Sequence, residues 1–319
     1  MAPRLLITRP MPDAVLARAE ASYSVTANQE NADWAQNDLA ARAQGAEAIM
    51  TAPGAGLDKT VIEALPREVR MIATFSVGYD HLDLDAAKAR GLVVTNTPDV
   101  LTDATADITL LCMLGAARRA WEAQDMLRRG AWSGWTPVQL MGAQLGGRRL
   151  GILGMGRIGR AVASRARAFG MTIHYHNRSR LSPELEEGAV FHDTAEALLQ
   201  VSDVISLNAP ATPETENFLD ERRIELLPEG AIVVNTARGN LVDDKALIAA
   251  LRSGRVRAAG LDVFRGEPAV DPDYFGLDNT YLLPHMGSAT VETRNAMGFC
   301  CLDNLDAFFA GKEPPNRIA

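Results

Sequence analysis

The chain has 319 residues, 47% of them hydrophobic, 23% charged and 6% aromatic, with a net charge of -8. That length is roughly twice one ordinary domain, and the composition excludes a disordered chain, a collagen-like repeat and a disulfide miniprotein while leaving apolar material for two cores. The acidic balance excludes a dominant basic face and with it general nucleic-acid binding, so any anionic ligand must be met by local cations against an unfavourable overall field.

In chain order, short apolar stretches with strand character stand at 4–8, 48–52, 71–75 and 92–95. Others follow at 149–153, 172–176, 203–207, 231–235, 257–262 and 280–283, with helical spacing between them at 38–44, 157–169 and 243–253. Apolar strands separated by helices read as parallel sheets covered on both faces, because each crossover helix covers one face. The predicted class is α/β, doubly wound. Two longer helical patterns, 102–129 and 290–309, break the rhythm; the first follows a Thr/Asp cap region and the second stops at Gly311. They are expected to link an N-terminal and a central domain, the second returning the chain to the first domain.

The three cysteines, Cys112, Cys300 and Cys301, have no metal or redox spacing and read as small buried hydrophobes in a reducing compartment. The N-terminus lacks the apolar centre of a signal peptide, and the apolar run 108–117 is half the roughly 20 residues needed to span a bilayer. A cytoplasmic protein without membrane association is expected.

The strongest local motif is Gly151-Ile-Leu-Gly154-Met-Gly156-Arg157-Ile158-Gly159, after the predicted strand 149–153 and opening the predicted helix 157–169. Gly154 permits a tight turn, Gly156 a close approach of backbone to a pyrophosphate, and Gly159 close packing of helix on strand. The helix N-terminus offers N–H groups and partial positive charge to the phosphates. A lone G-x-G-x-x-G is equally a glycine-rich turn, but here the strand–turn–helix context is the one a dinucleotide fingerprint requires. The next strand ends at Asn177, where an NAD-selective site carries an acid for the ribose 2′-OH. Arg178-Ser179-Arg180 follow, and two guanidinium forks around a hydroxyl suit a 2′-phosphate. The same run also reads as a solvated basic turn. With the acid missing, NADPH is the expected cofactor.

Three polar groups follow the fingerprint at strand ends or just beyond, where open α/β sheets place their ligand crevice. They are Arg238 in Asn235-Thr236-Ala237-Arg238-Gly239, Glu267 in Gly266-Glu267-Pro268, and His285 in Pro284-His285-Met286-Gly287-Ser288. Reduction of a 2-oxo acid needs a hydride on the carbonyl carbon and a proton on its oxygen. Histidine suits proton delivery near neutrality, and a carboxylate on its other ring nitrogen orients it and favours its protonated form. Arginine forks onto a carboxylate and polarises a carbonyl. Each residue alone has an ordinary structural reading; together, downstream of the fingerprint, they read as a catalytic set.

The motifs in this order resemble the D-isomer-specific 2-hydroxyacid dehydrogenases, in particular the glyoxylate/hydroxypyruvate reductase branch. The resemblance spans nearly the whole chain, from Ser76-Val77-Gly78-Tyr79-Asp80-His81 and Gly91-Leu-Val-Val-Thr-Asn-Thr-Pro98 to Gly260-Leu-Asp262-Val-Phe264 and the His285 motif. It implies that Arg238 binds the substrate, that His285 is the acid/base, and that Glu267 pairs with it. Backbone N–H groups near Val77 and Gly78 would hold the substrate carboxylate. Thr105, Arg157, Ile158, Pro210, Thr215, Thr236, Ala237, Asp262 and Gly287 would line the cofactor site with the fingerprint glycines, Asp262 near the nicotinamide end. The resemblance further implies two Rossmann/flavodoxin-like domains: a discontinuous substrate domain, 1–100 and 286–319, and a dinucleotide-binding domain inserted at 101–285. It implies a homodimer, in which Trp135 either enters the partner's substrate pocket or serves as an aromatic anchor.

The expected reaction is NADPH-dependent reduction of glyoxylate and hydroxypyruvate to glycolate and D-glycerate. Larger 2-oxo acids such as arylpyruvates remain open, because the loop 50–56 is built from small residues. So do an NADH-linked D-2-hydroxyacid dehydrogenase and, in another class, a nicotinamide-sensing corepressor-like module. His174 and His176 share one side of a strand but have no third ligand nearby in sequence, so no metal is expected.

Overall fold

The computed structural model describes residues 2–319 other than Asp33, Ala35 and Ala55, with Gln36 and Asn37 described in their backbone alone. The chain divides into two compact units, Met1–Leu101 with Ser288–Ala319, and Thr102–Gly287.

Among the described residues, the first unit carries five parallel strands: β1 (Arg4–Ile7), β2 (Ser24–Ala27), β3 (Ala48–Thr51), β4 (Met71–Thr74) and β5 (Val93–Thr95). Their order, β2-β1-β3-β4-β5, is that of a flavodoxin-like doubly wound sheet. Period-two alternation sends Leu6, Ile49, Ile72 and Val94 into one core and Leu5, Ile7, Met50 and Met71 into the other. Helix Val291–Phe309, capped by Thr290, buries Cys301, Leu302 and Leu305 in the second of these cores. Residues 316–319 lie along β5, with Thr95 bridged antiparallel to Arg317 and the Val94 amide donating to the Ala319 carbonyl at 3.0 Å.

Among the described residues, the second unit holds seven strands: β6 (Arg149–Leu153), β7 (Thr172–His176), β8 (Val190–Phe191), β9 (Val204–Leu207), β10 (Ala231–Asn235), β11 (Val256–Leu261) and β12 (Thr280–Leu282). All are parallel, in the order β12-β11-β10-β9-β6-β7-β8. This is the dinucleotide-binding order with one strand added, and it reverses between β6 and β9, the place where such sheets take their ligands. Both predicted parallel sheets are therefore present.

Two strands were not anticipated. β2 alternates exposed and half-buried residues, and β8 has only two residues. Both are edge strands, which lack the continuous apolar run of a buried parallel strand. The predicted helix 102–129 is in fact two, Thr102–Ala117 and Ala120–Arg128, with Arg119 left-handed at φ 54. The Ala117 carbonyl, which the next helical turn would need, accepts instead from the Ala143 amide at 2.7 Å. A returning strand of backbone thus ends the helix, and no residue within 102–129 signals it.

His174 and His176 stand on β7 with His192 just past β8. His174 Nδ1 lies 2.9 Å from His192 Nε2, and His176 Nδ1 lies 2.8 Å from the His192 carbonyl oxygen. Burial, then the neighbouring His192 and Arg149, hold His174 below the ordinary histidine value; burial, then His176, do the same for His192. A neutral pair is therefore preferred in the fold, while the unfolded chain takes up protons near pH 6.5. The stability this pair contributes is full above about pH 6.5 and is lost as pH falls through the depressed folded-state values. Urea-unfolding midpoints should decline from pH 7.5 to pH 5.5, roughly the window around an ordinary histidine, and decline less in His192→Gln; equal declines would remove the pair as the cause.

Candidate active site

The fingerprint forms the turn between β6 and helix Arg157–Ala168. Gly154 has φ 90, and a Cβ there would lie 2.7 Å from the Ala209 amide nitrogen, so the turn fits only glycine against the loop after β9. A Cβ on Gly159 would lie 2.5 Å from the Gly154 carbonyl oxygen, whereas one on Gly156 would meet nothing within 4 Å. Two glycines thus close the turn, and the third leaves open space before it. The helix has no side-chain cap and no acid in its first turn, so its positive end is not neutralised locally. Asn177 Oδ1 accepts from the Met155 amide at 2.7 Å, tying the end of β7 to this turn.

Beyond Asn177, Arg178 and Ser179 are exposed. Arg180 is occupied differently. Its Nε and Nη2 fork onto Glu186 at 2.8 and 3.1 Å, and Glu186 also accepts from the Tyr175 hydroxyl at 2.6 Å. Arg180, then Tyr175, hold the Glu186 carboxyl below the usual range. Arg180 shapes the turn, its charge met by the ionised Glu186, which a reading of three consecutive residues does not reveal.

Asn235 Oδ1 accepts from the Ala237 amide at 3.0 Å and Asn235 Nδ2 donates to the Arg238 carbonyl at 2.8 Å, folding the turn after β10. Arg238 Nη1 donates to the Ala237 carbonyl at 2.8 Å. Thr236 Oγ1 lies 2.7 Å from Thr109 Oγ1, whose own hydroxyl reaches the Thr105 carbonyl at 2.8 Å. In the loop after β9, Thr215 Oγ1 donates to the Pro210 carbonyl at 2.7 Å.

Asp262 and His285 stand after β11 and β12. Asp262 is buried; its carbonyl accepts from the His285 amide at 2.8 Å and its Oδ1 from the Met286 amide at 2.7 Å. Asp262 Oδ2 is buried with no partner among the described residues. A Cβ built on Gly287 would lie 3.4 Å from that oxygen and 3.5 Å from the Thr105 hydroxyl, so Thr105, Asp262 and Gly287 converge. Burial pushes the Asp262 carboxyl up, against the Met286 amide and the His285 ring, which pull it down.

His285, left-handed at φ 53, brings Nδ1 within 2.7 Å of Glu267 Oε2. A carboxylate only accepts, so Nδ1 carries the proton of that bond and Nε2 is left for chemistry. Glu267 Oε1 accepts from the Phe264 amide at 2.7 Å. Burial alone would raise the Glu267 carboxyl; the bonds from His285 and Phe264 and the fields of His285 and Arg238 outweigh it and hold the group below its ordinary range. The predicted trio is thus assembled within one unit, with Arg238 and His285 both acting on Glu267.

In the other unit, Val77 and Gly78 follow β4. The Ser76 hydroxyl donates to the Gly78 carbonyl at 2.6 Å, Asn96 Nδ2 to the Val77 carbonyl at 2.9 Å, and the Thr97 amide to the Ser76 carbonyl at 2.9 Å. Three successive carbonyls thus accept hydrogen bonds, while the amides of Val77, Gly78 and Tyr79 have no backbone acceptor among the described residues. Ala55, in the small-residue loop 50–56, lies outside the described residues.

The family profile described as "D-isomer specific 2-hydroxyacid dehydrogenase, NAD binding domain" matches residues 110–287. The chain is 45% identical to a glycerate dehydrogenase of Hyphomicrobium methylovorum over 99% of both chains. The chain belongs to the D-isomer-specific 2-hydroxyacid dehydrogenases. A solved Polaromonas structure assigned to the same family superposes with a TM-score of 0.95 at 48% identity, covering 100% of both chains. An NADPH-dependent glyoxylate/hydroxypyruvate reductase of Sinorhizobium meliloti, solved with NADP and malonate, gives 0.89 at 34% identity over 100% of this chain and 97% of that one. As a family member this D-2-hydroxyacid dehydrogenase is an oxidoreductase, and its second unit is the nicotinamide-nucleotide-binding domain.

The chemistry of the unit suits that cofactor. Gly156 opens before an uncapped helix end, and the buried Asp262 carboxylate, beside the Met286 and Gly287 amides, offers a further acceptor of the kind a carboxamide donor suits. Thr109 supports the site through its bonds to Thr236 and Thr105, yet no motif spacing singles it out. Trp135 is 77% exposed on an arm that also exposes Trp132, Val138 and Met141. Among the described residues, no helix is long and apolar enough to cross a membrane.

Proposed function

We propose that this dehydrogenase reduces glyoxylate to glycolate and hydroxypyruvate to D-glycerate with NADPH. The observation that carries the reading is the 2.7 Å contact of His285 Nδ1 with a Glu267 carboxylate braced by the Phe264 amide. When bound, the nicotinamide supplies the hydride to the carbonyl carbon. Arg238 forks onto the substrate's carboxylate and carbonyl oxygen, drawing off developing charge. His285 Nε2 delivers the proton to that oxygen, and Glu267, bound to Nδ1, keeps the ring oriented throughout. Amides of Val77 and Gly78 receive the substrate carboxylate. In the cofactor domain, the open end of helix Arg157–Ala168 takes the pyrophosphate, Asp262 Oδ2 the carboxamide, and Thr105, Thr236, Ala237 and Gly287 flank the nicotinamide end.

NADPH is favoured by Asn177 in the acid's place and by exposed Arg178 and Ser179, in a turn shaped by the Arg180–Glu186 pair. The NADPH dependence in the name of the Sinorhizobium relative agrees. Exposed apolar residues on the Trp135 arm support a homodimer.

The test is a 2-oxo acid panel run with NADPH and NADH side by side. Turnover should be highest with glyoxylate or hydroxypyruvate and NADPH; no turnover of either, with arylpyruvates active, rejects the substrate assignment. In Arg178→Asp, a lost charge-assisted contact costs roughly 10- to 100-fold in kcat/KM for NADPH, with little change for NADH. An unchanged NADPH/NADH ratio would sink the cofactor assignment.

A further inference from the structure

The Arg265 guanidinium holds three loops at once. Its Nη1 lies 2.6 Å from Glu216 Oε1, and its Nη2 donates to Asn217 Oδ1 at 2.7 Å, to the Asn240 carbonyl at 3.1 Å and to the Val242 carbonyl at 3.4 Å. Glu216 and Asn217 belong to the loop after β9, which carries Pro210 and Thr215. Asn240 and Val242 lie just past Arg238 in the turn after β10. Arg265 itself stands two residues before Glu267 in the turn after β11. Backbone is laced at the same place. A Cβ on Gly239 would lie 1.9 Å from the Phe264 carbonyl carbon and 2.2 Å from the Arg265 amide nitrogen, so the Arg238 turn rests directly on the stretch that supplies Glu267 with its backbone donor.

We infer that Arg265 is a positioning residue that sets Arg238 at its working separation from the Glu267–His285 pair. The inference rests on the site reading above, and gives Arg265 no contact with substrate or cofactor. One exposed ion pair holds little. A rigid fork with four acceptors in two loops ties both of them to its own turn, because shifting any of the three strains bonds to the guanidinium. Such a restraint matters for rate, since a misplacement of about 1 Å costs up to ~100-fold.

The test compares wild type, Arg265→Met, Arg265→Lys, Glu267→Gln, the Arg265→Met/Glu267→Gln double variant and His285→Ala. Each is assayed for NADPH-dependent glyoxylate and hydroxypyruvate reduction, with thermal melts by circular dichroism. Arg265→Met should lose roughly ten-fold in kcat through misplacement. Arg265→Lys, able to reach one or two acceptors, should recover part of that loss. In the double variant kcat should fall little below that of Glu267→Gln alone, because the clamp acts through the placement of the group already removed. Wild-type kcat in Arg265→Met, a loss matched by the unfolded fraction, or losses that simply multiply in the double variant overturn the inference. If Arg265→Met does not fold, Glu216→Ala, at an exposed position, should lower kcat the same way by less, and wild-type kcat there overturns the inference equally. His285→Ala inactive beside a wild-type Arg265→Met overturns the positioning role alone; His285→Ala with wild-type turnover overturns the site reading together with it.

Discussion

Replacing His285 by alanine should lower kcat for 2-oxo acid reduction by about 100- to 10,000-fold, the usual contribution of a positioned general acid. The imidazole is the group whose free nitrogen can protonate the carbonyl oxygen, since its other nitrogen is committed to Glu267 at 2.7 Å. NADPH affinity should hold, because the Asp262 carbonyl and Oδ1 bond the backbone amides of residues 285 and 286, which alanine retains. Glu267→Gln should give a kcat between those of wild type and His285→Ala, since an amide oxygen accepts from Nδ1 more weakly than a carboxylate and orients the ring less firmly. The Glu267 carboxyl lies below its ordinary range, so that support is present at neutral pH and is lost only as pH falls through the depressed value. Steady-state rates across pH with NADPH titrations check all of this. More than about a tenth of wild-type kcat in His285→Ala would assign the proton to another donor.

Arg238→Met should cost about 100- to 1,000-fold in kcat/KM, the scale of losing a preorganised donor to developing charge. Unlike the histidine variant it should raise KM as well, because the same fork is assigned to the ground-state carboxylate. Arg238→Lys should restore only part, since an ammonium cannot reproduce two parallel N–H donors. The change should also release the Glu267 carboxyl upward, because the Arg238 field is one of the influences holding it down. Unchanged KM for glyoxylate and hydroxypyruvate in Arg238→Met would remove the arginine from substrate binding.

How much of this was legible in the sequence depended on burial. β3, β4, β9 and β10 are buried at every position, and such strands announce themselves as unbroken apolar runs. β2 and β8 escaped because an edge strand has no such run. The break at Arg119 escaped because its cause is a hydrogen bond from residue 143, far along the chain. At the site, the fingerprint and the Arg238, Glu267 and His285 motifs were readable because their chemistry needs particular residue types at strand ends. The Glu186 fork on Arg180 and the Arg265 clamp were not. Each depends on which loop passes beside an ordinary surface arginine, and only the fold decides that.

The all-parallel sheet of the cofactor domain separates two properties that net charge runs together. Every crossover helix in such a sheet starts at the carboxyl end of a strand, so the positive ends of the peptide dipoles gather on the side where the ligands are assigned. The helices at Ala195–Val201, Glu221–Ile224 and Asp244–Ser253 spend this potential on their own caps, Thr194, Asp220 and Asp243, while the one at Arg157–Ala168 begins at Gly156 with none. An overall charge of -8 therefore describes the side chains and governs solubility and long-range repulsion. The attraction assigned to a pyrophosphate starts from main chain, so substitutions on the acidic exterior away from the first turn of that helix should change it little.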